Sequence, residues 1–237
     1  MPSEQSSRAS KVALAVLATL LAGVALGLGS GFVPSPWHAD ALTGSAPHVD
    51  VSAVSRSCSP SRPDGLRVLV TGAAGFVGFH TSARLALRGD GVAGLDSFNA
   101  YYPASLKLSR SHLLRSRHSV HTVNSDLSDR AALQRSLSAC SPTHVLHLAA
   151  QAGVRHAKHD PLSYVHSNVH SFVVLEEELA KLNPIPRLIF ASSSSIYGGN
   201  DKVPFAEADC TEKCASSSPH LTFMCCSFST DSAFFIS

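Results

Sequence analysis

The sequence is short of net charge. Nineteen lysines and arginines stand against 17 acidic residues, a formal balance of +2 over 237 residues. The basic residues form no block, which excludes a nucleic-acid surface, since that needs clustered cations against phosphates. Cysteine is sparse and unpatterned. Cys58, Cys140, Cys210, Cys214, Cys225 and Cys226 form no paired Cys-x-x-Cys units and lack closing histidines. Neither a zinc site nor a disulfide framework is read from them, and the expectation is free thiols in a poorly structured tail. No Asn-x-Ser/Thr site occurs, so glycosylation gives no clue to compartment. No Tyr follows Tyr197 and no Lys follows Lys213, which excludes a Tyr-x-x-x-Lys pair beyond that point.

Hydrophobic residues, by contrast, reach 44%, enough for a packed core. One run of them, Val12 to Val33, is 22 residues without a charge. As a helix it spans roughly 33 Å, the thickness of a bilayer core. Arg8 and Lys11 precede it and no Lys or Arg returns until Arg56. The charge asymmetry predicts a cytosolic N-terminus and a translocated remainder. A cleaved signal peptide, with "ADA" at 39–41 as its cleavage pattern, is the alternative; its apolar stretch is ordinarily only about 7 to 15 residues. The expected organisation is a cytosolic tail (1–11), a single-pass anchor (12–33), a Ser/Pro-rich stem or linker (34–64), a folded domain (65–216) and a divergent tail (217–237).

From Leu66 the pattern becomes periodic. Apolar runs follow the glycine-rich "LRVLVTGAAGFVGFH" at 92–96, 119–124, 143–150 and 187–193. Helical stretches lie between them, to about Arg88 and over 104–117, 128–139 and 161–182. Pro161 suits a first helical turn, and Asn183-Pro184 ends the last helix. Strands alternating with helices predict an α/β fold with a doubly wound parallel sheet, Rossmann-type but incomplete at five strands.

Gly72, Gly75 and Gly78 form GxxGxxG between the first strand and its helix. Glycines there permit positive φ and close approach of backbone N–H groups to a pyrophosphate, and the helix N-terminus adds partial positive charge. Asp96, 24 residues after Gly72 at the end of the second strand, is placed to bind ribose hydroxyls and to disfavour a 2′-phosphate, so NAD is expected over NADP. Asp126, ending the third strand, is either a helix cap or a group reaching the adenine.

"VTGAAGFVG", "GLDSFNAYYPASLK", "HLAAQAGVRHA", "YVHSN" and "ASSSSIYGGNDKVPF" together resemble the extended short-chain dehydrogenase/reductases. Among these they are most similar to the UDP-glucuronate 4-epimerases, in particular the plant form with an N-terminal membrane anchor. The similarity runs from about Leu66 to Ser216. It implies that Gly72, Gly75, Phe76, Val77 and Gly78 contact the NAD pyrophosphate. Asp96 would then bind the ribose, Asp126 and Leu127 the adenine, and Ala149, Ala150, Gln151 and Asn168 the cofactor near the fourth strand. It further implies a UDP-sugar substrate and a Golgi-lumenal domain on a type II anchor, with a homo-oligomer open. It implies no metal, so His156, His159, His166 and His170 are not read as ligands. Arg155 is either a partner for the glucuronate carboxylate or a solvated cation. Ser97 replaces the Asn often found after the acidic residue, at the loss of one cofactor contact.

The family chemistry is a hydride shuttle at sugar C4, with proton transfer by a Tyr that a Lys four residues later activates. Ser193 occupies the catalytic serine position, four residues before Tyr197. Counting on without gaps puts Ser218 at the Tyr position and Thr222 at the Lys position. A serine hydroxyl is a far weaker acid than a phenol of pKa about 10 and cannot replace it. Two readings stay open: an isomerase of this family, or a catalytically dead, membrane-anchored NAD-binding fragment or partner of an intact copy, the chain being truncated or mis-spliced. A UDP-sugar decarboxylase or 4,6-dehydratase is the alternative on chemistry.

Overall fold

A computed structural model describes residues 49–157, 159–192, 197 and 201–209. The apolar run 12–33, the residues 193–196 and everything beyond 209 lie outside the described residues. No described helix is long and apolar enough to cross a membrane.

The described order is α1 (Val51–Ser57), β1 (Arg67–Thr71), α2 (Phe76–Leu87), β2 (Gly91–Asp96), α3 (Ala104–His118), β3 (His121–Asn124), α4 (Arg130–Cys140), β4 (His144–His147), single turns α5 (Val154–Ala157) and α6 (Pro161–Tyr164), a π-helical segment (Val165–His170), α7 (Ser171–Ala180) and β5 (Arg187–Phe190). All strand pairs are parallel, in spatial order β3-β2-β1-β4-β5. This is the doubly wound arrangement, and its order reverses direction between β1 and β4, where such sheets form a crevice at their carboxyl edge.

Both faces of the sheet are covered, so the strands read as apolar runs rather than clean alternations. Along β1, Val68 and Val70 face a cluster with Leu114, Val120 and Phe79, whereas Leu69 faces Leu133, Leu137, Val174, Leu175 and Leu179. Asp129 caps α4 through a 3.0 Å bond from the Ala132 amide, and Ser119 closes α3 with a left-handed φ of 56°. Strand β4 stops at His147, short of the expected 150. Beyond Leu148 the next amide, Ala149 N–H, is taken by the Thr71 side chain at 3.2 Å instead of a neighbouring carbonyl. The helix expected over 161–182 is interrupted by the π segment, whose Asn168 is fastened to the loop after β4.

Two expectations are corrected. The stretch 34–64, read as a stem, contains α1, which is built into the domain. Asp50 caps this helix by accepting from Ala53 N–H at 2.9 Å, and Val54 is fully buried in the core with α4. Ser57 Oγ donates to the Val92 carbonyl and accepts from His121 N–H, bridging β2 and β3. Buried Asp90 holds the following segment through Arg62 at 3.0 Å and Leu66 N–H at 3.0 Å. Nor are all cysteines free: Cys58 and Cys140 form a disulfide joining the end of α1 to the end of α4. A bridge closing a loop of this size stabilises by about 2 to 4 kcal/mol, chiefly by restricting the unfolded chain.

Candidate active site

The crevice at the carboxyl edge is lined by Gly72, Gly75, Asp96, Ser97, Asn99, Tyr101, Lys107, Ser125, Asp126, Leu127, Ala149, Ala150 and Gln151, with Ser167 and Ser171. Its floor is the turn from β1 into α2. Gly72 has φ 70°, and a Cβ there would lie 2.8 Å from the Leu148–Ala149 backbone. A Cβ on Gly78 would lie 2.1 Å from the Gly72 carbonyl oxygen. Only glycine lets β1, α2 and β4 meet this closely. Gly75 begins α2 and no side chain caps that end, so the first-turn N–H groups are available to an anion.

Asp96 stands beside this turn with 4% of its surface exposed. Its carboxylate accepts from Ala74 N–H at 3.0 Å and Phe98 N–H at 2.9 Å, and Lys107 Nζ is 3.6 Å away. Lys107, itself buried, donates to Asn99 Oδ1 at 2.8 Å. Asp126 accepts from Ser128 N–H (2.8 Å) and Ser128 Oγ (2.6 Å), with His166 Nε2 3.2 Å from both of its oxygens. Burial alone would raise the Asp126 pKa, but the Ser128 and His166 interactions outweigh it and hold the carboxyl below its ordinary value.

On the opposite wall, Asn168 accepts from Gln151 N–H at 2.7 Å and donates to the Gln151 carbonyl at 3.0 Å. The Tyr164 hydroxyl lies 2.8 Å and 2.5 Å from the Ala152 and Gly153 carbonyls. Burial and the neighbouring Tyr101 raise the Tyr164 pKa, against a weaker pull from the Gln151 amide. Beneath the crevice, Thr71 Oγ1 and His147 Nδ1 are 2.7 Å apart. Thr71 Oγ1 also accepts from Ala149 N–H, so one hydroxyl ties the imidazole to the start of the loop after β4. Burial pushes the His147 pKa down to about 4.

The structure thus brings together Gly72, Gly75, Asp96, Asp126, Leu127, Ala149, Ala150 and Gln151 in one crevice. Phe76, Val77, Gly78 and Asn168 do not line it. Gly78 packs under the turn, Phe76 lies exposed at the start of α2 with the Arg110 guanidinium 5.8 Å from its ring centroid, and Asn168 acts from behind on Gln151. Ser193, Ser218 and Thr222 lie outside the described residues, as does the side chain of Arg155. Of the histidines, His166 meets Asp126 and packs against His170, while His156 packs on Tyr101. Sequence reasoning missed Asn99, Lys107, Thr71 and His147. "NAYYPASLK" contained the first two, but only the fold of the loop before α3 turns them inward.

The residues fit a dinucleotide: a glycine cradle that a Cβ would fill, uncapped amides, a carboxylate at the end of β2, and a buried amide nitrogen, Gln151 Nε2, with no hydrogen bond of good geometry among the described residues. Comparison with known proteins agrees. Residues 68–222 match the model of the NAD dependent epimerase/dehydratase family, and the chain belongs to that family, whose cofactor is NAD. It is 56% identical to UDP-glucuronate 4-epimerase 3 of Arabidopsis thaliana over 152 residues, 64% of this chain and 35% of the relative. The chain therefore spans about a third of the length of that relative. Among solved structures, UDP-glucose-4-epimerase from Stenotrophomonas maltophila, with bound NAD and formylated UDP-arabinopyranose, is similar at a TM-score of 0.58 and 27% identity, covering 68% of this chain and 46% of that one. UDP-glucuronic acid 4-epimerase from Bacillus cereus, in complex with UDP-glucuronic acid and NAD, is similar at 0.52 and 30%, covering 60% and 45%.

The buried His147 makes stability depend on pH. Its folded pKa of about 4 lies below the ordinary 6.5, so the unfolded chain binds a proton that the folded one refuses. The stabilisation is full above pH 6.5 and is lost as pH falls toward 4. This group alone should lower unfolding free energy by about 2 kcal/mol between pH 7 and pH 5. His121 and His144, shifted down by burial as well, steepen the same slope. Urea denaturation at the two pH values measures the sum, and His147→Gln should flatten it by that amount. An unchanged slope in the variant would assign the pH dependence elsewhere.

Proposed function

We propose that this chain carries the NAD-binding half of a UDP-glucuronate 4-epimerase. The observation that supports the reading is the crevice, in which the glycine turn and Asp96 stand side by side, the arrangement that a dinucleotide's pyrophosphate and adenosine ribose require. Identity of 56% to a UDP-glucuronate 4-epimerase supports glucuronate over other UDP-sugars. The first-turn amides of α2 would face the pyrophosphate, Asp96 and Lys107 the adenosine ribose, Asp126 and Leu127 the adenine, and Ala149 to Gln151 the remainder. Bound NAD would supply a hydride acceptor for sugar C4. Ser193 is proposed as the hydroxyl that meets the sugar 4-hydroxyl. With Asp96 in its ribose role, the chain should bind NAD more tightly than NADP. Asp96→Ala should weaken NAD by about tenfold or more and narrow the preference, the usual size of a lost hydrogen bond to a charged group. Titration calorimetry measures both, and equal affinities for the two cofactors before mutation would remove that role.

The same reading makes the 237-residue chain unable to turn over by itself, because positions 218 and 222 carry Ser and Thr where the reaction needs a phenol and an ammonium. A general base of this kind contributes about 10² to 10⁴ in rate. Incubation with UDP-glucuronate and NAD should yield no UDP-galacturonate above background, and clear product would show that another group serves as the base.

The apolar run 12–33 supports a type II membrane anchor with the domain in the Golgi lumen. The Cys58–Cys140 disulfide supports it too, since such bonds persist in oxidising compartments. In sealed vesicles the domain should resist added protease, and both cysteines should escape alkylation until reductant is present. Digestion without detergent would place the domain in the cytosol.

A further inference from the structure

We infer that Asn99 is a positioning residue that passes the donor direction of Lys107 to Gln151 and so fixes which atom the crevice offers its ligand. The inference rests on the NAD-binding reading above. The argument is one of donor and acceptor parity. A lysine ammonium only donates. Lys107 Nζ is 2.8 Å from Asn99, which must therefore present Oδ1 to it. The same amide then has only Nδ2 to offer Gln151, and it reaches Gln151 Oε1 at 3.4 Å. With Oε1 engaged, Gln151 is left with Nε2, a buried donor in the crevice wall that makes no hydrogen bond of good geometry among the described residues.

Among the described residues the neighbouring groups agree with a donor at this position. The Tyr164 hydroxyl sends its proton to the Ala152 and Gly153 carbonyls and turns only lone pairs toward the Gln151 amide, whose pull works against the burial that raises the Tyr164 pKa. The Gln151 backbone is clamped on both sides by Asn168. Without Asn99, the Gln151 amide could turn over and present its oxygen. With it, the crevice presents a donor, and the matching ligand atom is an acceptor: a phosphate or hydroxyl oxygen, or the carbonyl oxygen of a carboxamide. Asp96 at one end and Gln151 at the other are thus oriented by a single buried cation, which links the ribose side of the crevice to its far wall.

The test is a double-mutant cycle on the full chain, reading NAD affinity by calorimetry. Asn99→Asp is close to isosteric and still accepts from Lys107, yet has no donor for Gln151 Oε1. It should weaken NAD by about tenfold, the size of one hydrogen bond to a charged ligand. In a Gln151→Met background, where no amide remains to be oriented, Asn99→Asp should change affinity by less than about twofold. An equal loss in both backgrounds would mean that the new carboxylate acts by charge or by structure, and would overturn the inference. Should Asn99→Asp fail to fold, Lys107→Met in the same two backgrounds gives the same comparison: coupling to Gln151 supports the relay and additivity overturns it. Failure of the unmodified chain to bind NAD would instead overturn the underlying reading, so the two failures are distinguishable.

Discussion

The backbone contact between Gly78 and the Gly72 carbonyl is the constraint on which the crevice depends. A methyl group at position 78 would sit 2.1 Å from that oxygen, and one at 72 would sit 2.8 Å from the peptide joining Leu148 to Ala149. Three elements therefore meet with no side chain between them: β1, the start of α2 and the end of β4. Their approach aims the first-turn amides of α2 along the carboxyl edge. It also brings Ala149 under Thr71 and lets Ala74 N–H reach Asp96. A Cβ at either position would force α2 or β4 outward and undo these contacts together.

Two buried carboxylates bracket β2, and their partners show different purposes. Asp90, just before the strand, is held by Arg62, Arg88 and the Leu66 amide. That arrangement pins the segment between α1 and β1 to the amino edge of the sheet. Asp96, ending the strand, is paired with a buried lysine and two amides. Replacing a buried ion pair by apolar groups is commonly neutral or stabilising, so the Asp96–Lys107 pair is not explained by folding energy. Its position in the crevice wall gives it a reason: a charged pair, preorganised by backbone amides, can exchange part of its internal bonding for bonds to a ligand.

Legibility in the sequence followed locality. The glycine turn, Asp96 and the alternation of strands and helices were readable because each depends on neighbours a few residues away. The β4 end was misjudged because it is set by a side chain on β1, 78 residues earlier in sequence. The Cys58–Cys140 bridge, with a sequence separation of 82, has no spacing motif to announce it. Helix α1 reads as stem in the sequence because seven residues in a Ser-rich stretch carry little periodicity, and its burial comes from α4. No local pattern in the sequence gives Lys107 or Asn99 a role. Their inward direction comes from the loop after β2, where Phe98 takes a positive φ of 50°.

The same locality separates cofactor binding from proton transfer. Every described residue lining the crevice falls between Gly72 and Ser171, and their supports lie on β1, β2, β4, α3 and the π segment. On the proposed reading, binding energy for a dinucleotide is assembled before the chain reaches Tyr197, whereas the base for the sugar hydroxyl would belong to the segment after it. Such a division permits one to be kept when the other is lost. On the proposed reading a serine at 218 costs the chemistry a great deal, because lowering a barrier needs a group whose proton affinity matches the reaction near neutrality, and an unassisted serine is far too weak an acid.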